Sequence, residues 1–410
     1  MPQEISILSL PNGLTLLAER MPHVRSAAFN IMLPGGCVND PDDKPGAATL
    51  LADLMTRGAG DLDSRALAEK LDRLGLDRAE SVGVINMHFS GVLLGRNLFD
   101  ALSVYADILR RPLLPEDELE PAQALALQDI QGLEDEPQGK VMVELSKRHY
   151  PTPLNRDRRG TPAGIEACTI DDLRRQHANV FHPQGMVISV AGDIQWDALQ
   201  AHVRQLFGDW QPKPRAPMTI ATSRTGSMHL QKDLEQTQIA LAYPSCPIGT
   251  DDFYNARGAV AVLSLDMSSR LFTNVREKHG LCYSVYASYD TFKDRASIIA
   301  YAGAKPELAQ ETLDRTLHEL RVLKDGIEDD ELDRVKVGLK SSLIMRQEST
   351  SARASSLISD WYYLGRVRPL EELQQKINGL SIKSILDYAE RYPVRDVTLV
   401  TLGPAALTMS

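Results

Sequence analysis

The chain has 410 residues, 43% of them hydrophobic and 24% charged, and carries a formal net charge of −10. That length exceeds what one hydrophobic core usually serves, so two or more domains are expected. The acidic balance, with no cluster of Lys and Arg, excludes nucleic acid or an anionic membrane as the main partner, and no apolar run reaches the roughly 18 residues of a membrane span.

The N-terminus, "MPQEISILSLPNGLTLLAER", lacks a basic head followed by a long apolar run. No signal peptide is read, which leaves the cytoplasm as the default compartment, or the periplasm if a leader had been removed. "SAAFNIMLPGG" reads as a strand ending in a turn. "SRALAEKLDRLGL" reads as a helix with Leu67, Leu71 and Leu74 on one face and Gly75 as its stop. "VGVINMHFSGVLL" follows as a strand, then "NLFDALSVYADILRRP" as a helix ending before Pro112, then a long helical stretch from Pro115 with an acidic start. "GMVISVAGDI" is a strand and "WDALQAHVRQLFGDW" a helix. This alternation predicts an α+β fold, a mixed or antiparallel sheet flanked by helices.

Residues 213–226, rich in Pro and small polar side chains, read as a linker between domains at 1–212 and 227–410. Beyond it the order of elements recurs. "TQIALAYPSCPIG" answers "AAFNIMLPGG", "ASIIAYAGAKPELAQETLDRTLHELRVL" answers the strand and helix between Asn86 and Leu109, and "DELDRVKVGLKSSLIMRQ" answers "DELEPAQALALQDIQGL". Two copies of one α+β domain are therefore expected. The cysteines Cys37, Cys168, Cys246 and Cys282 lie far apart with no metal-ligand spacing, and read as free, buried thiols suited to a reducing compartment.

Four stretches, "LPNGLTLL", "PGGCVNDPDDKPGAATLLADLMTRG", "VFHPQGMVISVAGDI" and "SSRLFTNVREKHGLCYSVYASY", in this order on a duplicated chain, resemble the pitrilysin or insulinase-type metallopeptidases, the inverted zincins. The resemblance implies a clamshell half of two α+β domains, with the active shell commonly built from two such chains. The family's signature is H-x-x-E-H on a helix with a distant Glu as third ligand. Two His at i and i+4 share a helix face and bind one Zn²⁺, while the intervening Glu is general base for the metal-bound water. Alignment on Gly46-Ala47-Ala48 puts Thr49 and Asp53 at the His positions and Ala52 at the base. Asp129, 76 residues beyond Asp53, falls at the distal ligand. By the family's mechanism this half cannot hydrolyse a peptide. Thr49, Asp53 and Asp129 retain oxygen donors of the kind Mg²⁺ or Ca²⁺ takes, but the plainer reading makes the carboxylates solvated remnants of a lost site, with no metal bound by this chain.

In "VREKHGLCY", Arg276 and Tyr283 match the Arg and Tyr that active members carry in the domain facing the zinc. Arg276 is expected near a helix end, Gly280 as the left-handed stop and Tyr283 at the start of a strand, so that the two side chains converge. The resemblance makes them donors to a substrate carbonyl and to the developing oxyanion. The plainer alternative is a local ion pair for Arg276 and a half-buried strand position for Tyr283. His177 and His182, five apart, read as structural, and His279 as a charge in the last turn of a helix.

These readings rank as follows. The first is a non-catalytic subunit of a heterodimeric zinc peptidase, with a homologous H-x-x-E-H subunit as partner, zinc held by that partner and a peptide or unfolded polypeptide as substrate; in isolation, the chain is compatible with a homodimer. The others are a vestigial scaffold or peptide-binding shell, and a peptidase using a carboxylate metal site. The regulatory subunits of mitochondrial processing peptidase carry a glycine-rich loop. No such loop is found here, which favours a bacterial pseudo-peptidase.

Overall fold

The computed structural model of the protein describes residues 3–215, 217–222 and 225–409. Two compact units divide it. The first gathers the chain up to Gly132, Thr152–Ala221 and Arg346–Trp361; the second gathers Leu133–Pro151, Thr222–Met345 and the chain from Tyr362 onward. Both are α+β, as expected.

The first unit is built on a six-stranded sheet ordered Glu4–Ser9, Thr15–Arg20, Val187–Gly192, Ser26–Leu33, Met87–Leu94, Asp77–Val82. All pairs are antiparallel except Thr15–Arg20 with Val187–Gly192. Central strands such as Val187–Gly192 are buried along their whole length and so read as continuous apolar runs. One expected strand differs: "VGVINMHFSGVLL" begins with a turn, in which Gly83 N–H donates to Asn86 O at 2.8 Å, and the strand proper is Met87–Leu94. Its hairpin partner, Asp77–Val82, is the sheet's edge and mostly exposed, so it shows no apolar alternation by which the sequence would reveal it.

The second unit's sheet runs Cys282–Thr291, Ala296–Ala304, Thr237–Ser245, Thr398–Gly403, Ser227–Gln231, with only the last pair parallel. Read from the other edge, this is the first unit's order without its first strand, and the one parallel pair falls in the same place. The duplication read from the sequence is thus present in the topology. The correspondence sets the edge strand Cys282–Thr291 against Asp77–Val82, and the turn at Gly280 (φ 62°) against that at Gly75 (φ 61°).

A division at 213–226 alone does not describe the units. Helix Pro137–His149 sends Val141 and Leu145 against Ala240, Ala242, Val400 and Leu402 of the second sheet. Its last residue, His149, bonds Thr398 Oγ1 at 2.9 Å and Ser297 Oγ at 2.7 Å. Conversely, Ala354 packs on Met21, Ala28 and Ala191 of the first unit, where Arg353 and Glu19 pair at 2.6 Å with side chains 4% and 6% exposed. A hydrophobic stripe shows that a helix must be covered, not which sheet covers it. Of the expected linker, positions 216, 223 and 224 lie outside the described residues. Arg215 is held by the carbonyls of Pro34 (2.6 Å) and Val180 (2.9 Å). All four cysteines are free and buried. Among the described residues no helix is long and apolar enough to cross a membrane.

Candidate functional site

Helix Ala47–Met55 starts at Gly46 in the left-handed region (φ 106°), with no capping side chain of its own. The buried Asp40 does that work from six residues upstream. Its carboxylate accepts Gly46 N–H at 2.7 Å and Ala48 N–H at 2.8 Å, satisfying donors the first turn would orphan. Burial pushes the Asp40 pKa up, against the opposing pull of those N–H donors and of Gln176. A Cβ on Gly46 would lie 2.5 Å from Ile165 Cδ1 and 2.9 Å from Arg159 O. Glycine here lets the 158–165 segment lie against the helix start, and that segment brings two arginines with it.

Ala47, Ala48, Leu50, Leu51, Leu54 and Met55 face the core. The remaining face, Thr49, Ala52, Asp53 and Thr56, lines a cavity of about 380 Å³ together with Asp129, Arg158 and Arg159, and residues 80–82 of the edge strand. All four residues that the sequence aligns with the family's ligands and base are therefore brought together. Their surroundings do not suit a metal. Thr49 Oγ1 donates to Arg158 O at 2.6 Å. Asp53 is paired with Arg57 at 2.8 Å, and Arg57 also binds Glu118 at 2.6 Å. Burial opposes the Arg57 charge, but the bonds to Glu118 and Asp53 outweigh it and raise its pKa. Asp129 lies 3.2 Å from Arg159 Nε, and that guanidinium also reaches Asp157 at 3.4 Å. Among the described residues no group of three His, Cys, Asp or Glu side chains is placed to hold a metal ion. A donor set of one engaged hydroxyl and two carboxylates, with no imidazole, does not fit Zn²⁺, and each carboxylate is already paired with a guanidinium rather than free for Mg²⁺ or Ca²⁺. Ala52, at the base position, has no group that can take a proton from water.

The second feature lies in the other unit. After helix Phe253–Ser264 the chain breaks at Asp266, whose N–H is held by Ser269 Oγ at 2.8 Å, and re-enters helix with a π-helical turn over Phe272–Glu277. Lys278 N–H reaching Thr273 O at 2.9 Å marks that wider winding, which is frequent at functional positions. Arg276 sits in this turn, Gly280 follows with φ 62°, and Tyr283 stands second on the edge strand, 75% exposed. The expected convergence is present. Arg276 Cζ lies 4.9 Å from the Tyr283 ring centroid and, on another ring, 4.7 Å from Phe272. The local ion pair considered as the alternative for Arg276 is not found among the described residues, and neither its N–H groups nor the Tyr283 hydroxyl has a hydrogen-bond partner there. Two nearby rings hold a guanidinium through cation–π attraction without using its N–H donors. Cys282, behind the pair, has its thiol pushed up to about 11 by burial, with Arg276 pulling the other way.

His177 is structural, as expected: its Nε2 lies 2.9 Å from Leu109 O and its ring stacks on Phe181. His182 is 2% exposed with neither ring nitrogen partnered, and His279 is exposed at the helix end. The sequence reading missed Arg57, Arg158, Arg159 and Phe272. The run "RDRRG" in an acidic chain was a signal for two of them, and the i, i+4 spacing of Phe272 and Arg276 for the last.

Comparison with known proteins adds the following. Residues 15–161 match the family described as insulinase (peptidase family M16), and residues 167–339 match the peptidase M16 inactive domain. The uncharacterized zinc protease YmxG of Bacillus subtilis is 28% identical over 96% of this chain and 97% of its own length. An uncharacterized zinc protease of Mycobacterium tuberculosis is 27% identical over 97% of this chain and 92% of its own. The crystal structure of a peptidase M16 inactive domain from Pseudomonas fluorescens superposes with a TM-score of 0.90 at 21% identity, covering 99% of this chain and all of that one. That of a protease from Helicobacter pylori gives 0.90 and 21%, covering 98% and all of it.

Proposed function

Since the chain belongs to peptidase family M16, the insulinase family, and has its inactive-type fold, we propose that it is the non-catalytic subunit of a heterodimeric zinc peptidase. Its partner is a homologue with an intact H-x-x-E-H, which supplies the zinc-bound water and the general base. This chain supplies Arg276 and Tyr283. The observation that carries the reading is the contrast between the two features. Where ligands and base would stand, each carboxylate is paired with an arginine; where substrate donors would stand, a guanidinium held over two rings and an exposed phenol are left without partners among the described residues.

Arg276 holds its position without a carboxylate, so its charge is available to an incoming peptide. Its planar fork can donate two bonds to one carbonyl oxygen or to two neighbouring ones, and Tyr283 O–H can donate a further bond as charge develops on that oxygen. Tyr283 lies on the edge strand Cys282–Thr291, whose outer side pairs with no other strand among the described residues. An extended peptide can add to such an edge, which would align successive carbonyls along the strand. The names of the relatives, zinc proteases, support proteolysis as the process served.

The test mixes this chain with a co-encoded homologue bearing H-x-x-E-H and measures peptide cleavage. Activity confined to the mixture, and lowered by Arg276→Ala, supports the proposal; metal-dependent cleavage by this chain alone overturns it.

A further inference from the structure

The second unit contains a cavity of about 250 Å³ away from Arg276 and Tyr283. It lies between the sheet, which contributes Tyr243 and Ile298, and the helices Phe253–Ser264, Ala309–Val322 and Ile382–Arg391. Tyr243, Leu263, Ile298 and Leu320 form buried walls, while Arg321, Lys324 and Arg395 line it from exposed positions. In a chain of net charge −10, no Asp or Glu among the described residues lines this cavity.

Two observations make it more than loose packing. Tyr388, also lining it, has its hydroxyl bonded to Ser245 Oγ at 2.7 Å, but Tyr243, only 5% exposed, has no hydrogen-bond partner for its hydroxyl among the described residues. The protein leaves the hydroxyl of this cavity-lining tyrosine unpaired, so a group that enters the cavity can be its partner. Lys324 and Arg395, likewise, make no ion pair among the described residues. The polar groups left over are thus donors, and the complement of several donors around apolar walls is an acceptor-only, negatively charged group on an apolar body.

We propose that this cavity is a binding site for a small apolar monocarboxylate, its chain among Leu263, Ile298 and Leu320 and its carboxylate answering Lys324, Arg395 and the Tyr243 hydroxyl. The volume falls below the roughly 300–1,000 Å³ of pockets for drug-sized ligands, which limits the ligand to about the size of octanoate. The site is independent of the peptidase reading and survives or fails apart from it.

Calorimetric titration of the full chain with octanoate, octan-1-ol and octylammonium tests it. The expected result is one octanoate per chain, octanol at least tenfold weaker, and no detectable octylammonium. Lys324→Glu, on the surface, should weaken octanoate at least fivefold and leave octanol unchanged. Tyr243→Phe, which removes only the hydroxyl, should weaken octanoate severalfold with an unaltered melting temperature. Val260→Trp, filling the cavity from the Phe253–Ser264 helix, should abolish binding of both. Failure of octanoate to bind at millimolar concentration, equal binding of octanol, or octanoate affinity unchanged in Lys324→Glu or Val260→Trp overturns the proposal.

Discussion

The Arg276 guanidinium carbon lies over two rings, Phe272 at 4.7 Å and Tyr283 at 4.9 Å. A lysine cannot reproduce that arrangement, because an ammonium has no plane to stack and no fork to present. Arg276→Lys is therefore expected to lower kcat/KM of the assembled complex nearly as far as Arg276→Ala, by about 10²-fold if the arginine acts as an oxyanion donor, with melting temperature unchanged. A lysine variant of full activity would reduce the arginine to a point charge. His182 offers a prediction of another kind. Burial first, then Arg215 and Lys213, lowers its pKa to about 4, beneath the roughly 6.5 of an unfolded chain. The unfolded state then binds the proton more readily, so the stability tied to a neutral His182 is complete above about pH 6.5 and lost as pH falls toward 4. Thermal melts should show wild type losing more melting temperature than His182→Phe between pH 7 and 5; parallel losses would contradict this. At this scale the sequence was most informative where spacing is local. Thr49, Ala52 and Asp53 stand at i, i+3 and i+4 of one helix, so their shared face was legible. Arg159 beside Asp129 was not, because its place depends on a loop resting on Gly46.

Helix Ala47–Met55 presents its chemistry-bearing face to solvent-filled space already furnished with Arg57 and Arg159. After chelation and dialysis against Zn²⁺, Mg²⁺ or Ca²⁺, the chain is expected to retain well under one equivalent of metal; stoichiometric binding lost in Asp53→Ala would show that the carboxylates still coordinate. The segment Arg346–Trp361 is tied to the first unit by buried contacts that include the Arg353–Glu19 pair. Leaving Glu19 as an unpaired buried charge should be strongly destabilising, so Arg353→Ala is expected to cost about 3–5 kcal/mol in denaturant unfolding. A loss below 1 kcal/mol would mean that water reaches Glu19. Helix and strand positions with apolar periodicity were legible in the sequence. The edge strand Asp77–Val82 was not, since both its faces are wet, and neither was the membership of Pro137–His149 in the second unit, which no local pattern encodes.

In the whole molecule, the same strand order appears twice with its parallel pair in the same place. On the proposed reading the two copies differ in what they offer: the first lacks nitrogen ligands and base, and the second presents Arg276 and Tyr283 at its edge strand. Such a chain is, on that reading, one part of a divided active site, the other part holding the metal. The most direct measurement is the rate of peptide hydrolysis by this chain, by a homologous H-x-x-E-H chain, and by their equimolar mixture, with wild-type and Arg276→Ala forms of this one. The expected result is activity in the mixture well above the sum of the separate chains and about 10²-fold lower with Arg276→Ala. Equal activity of the catalytic chain with and without this partner, or indifference to Arg276→Ala, would contradict it.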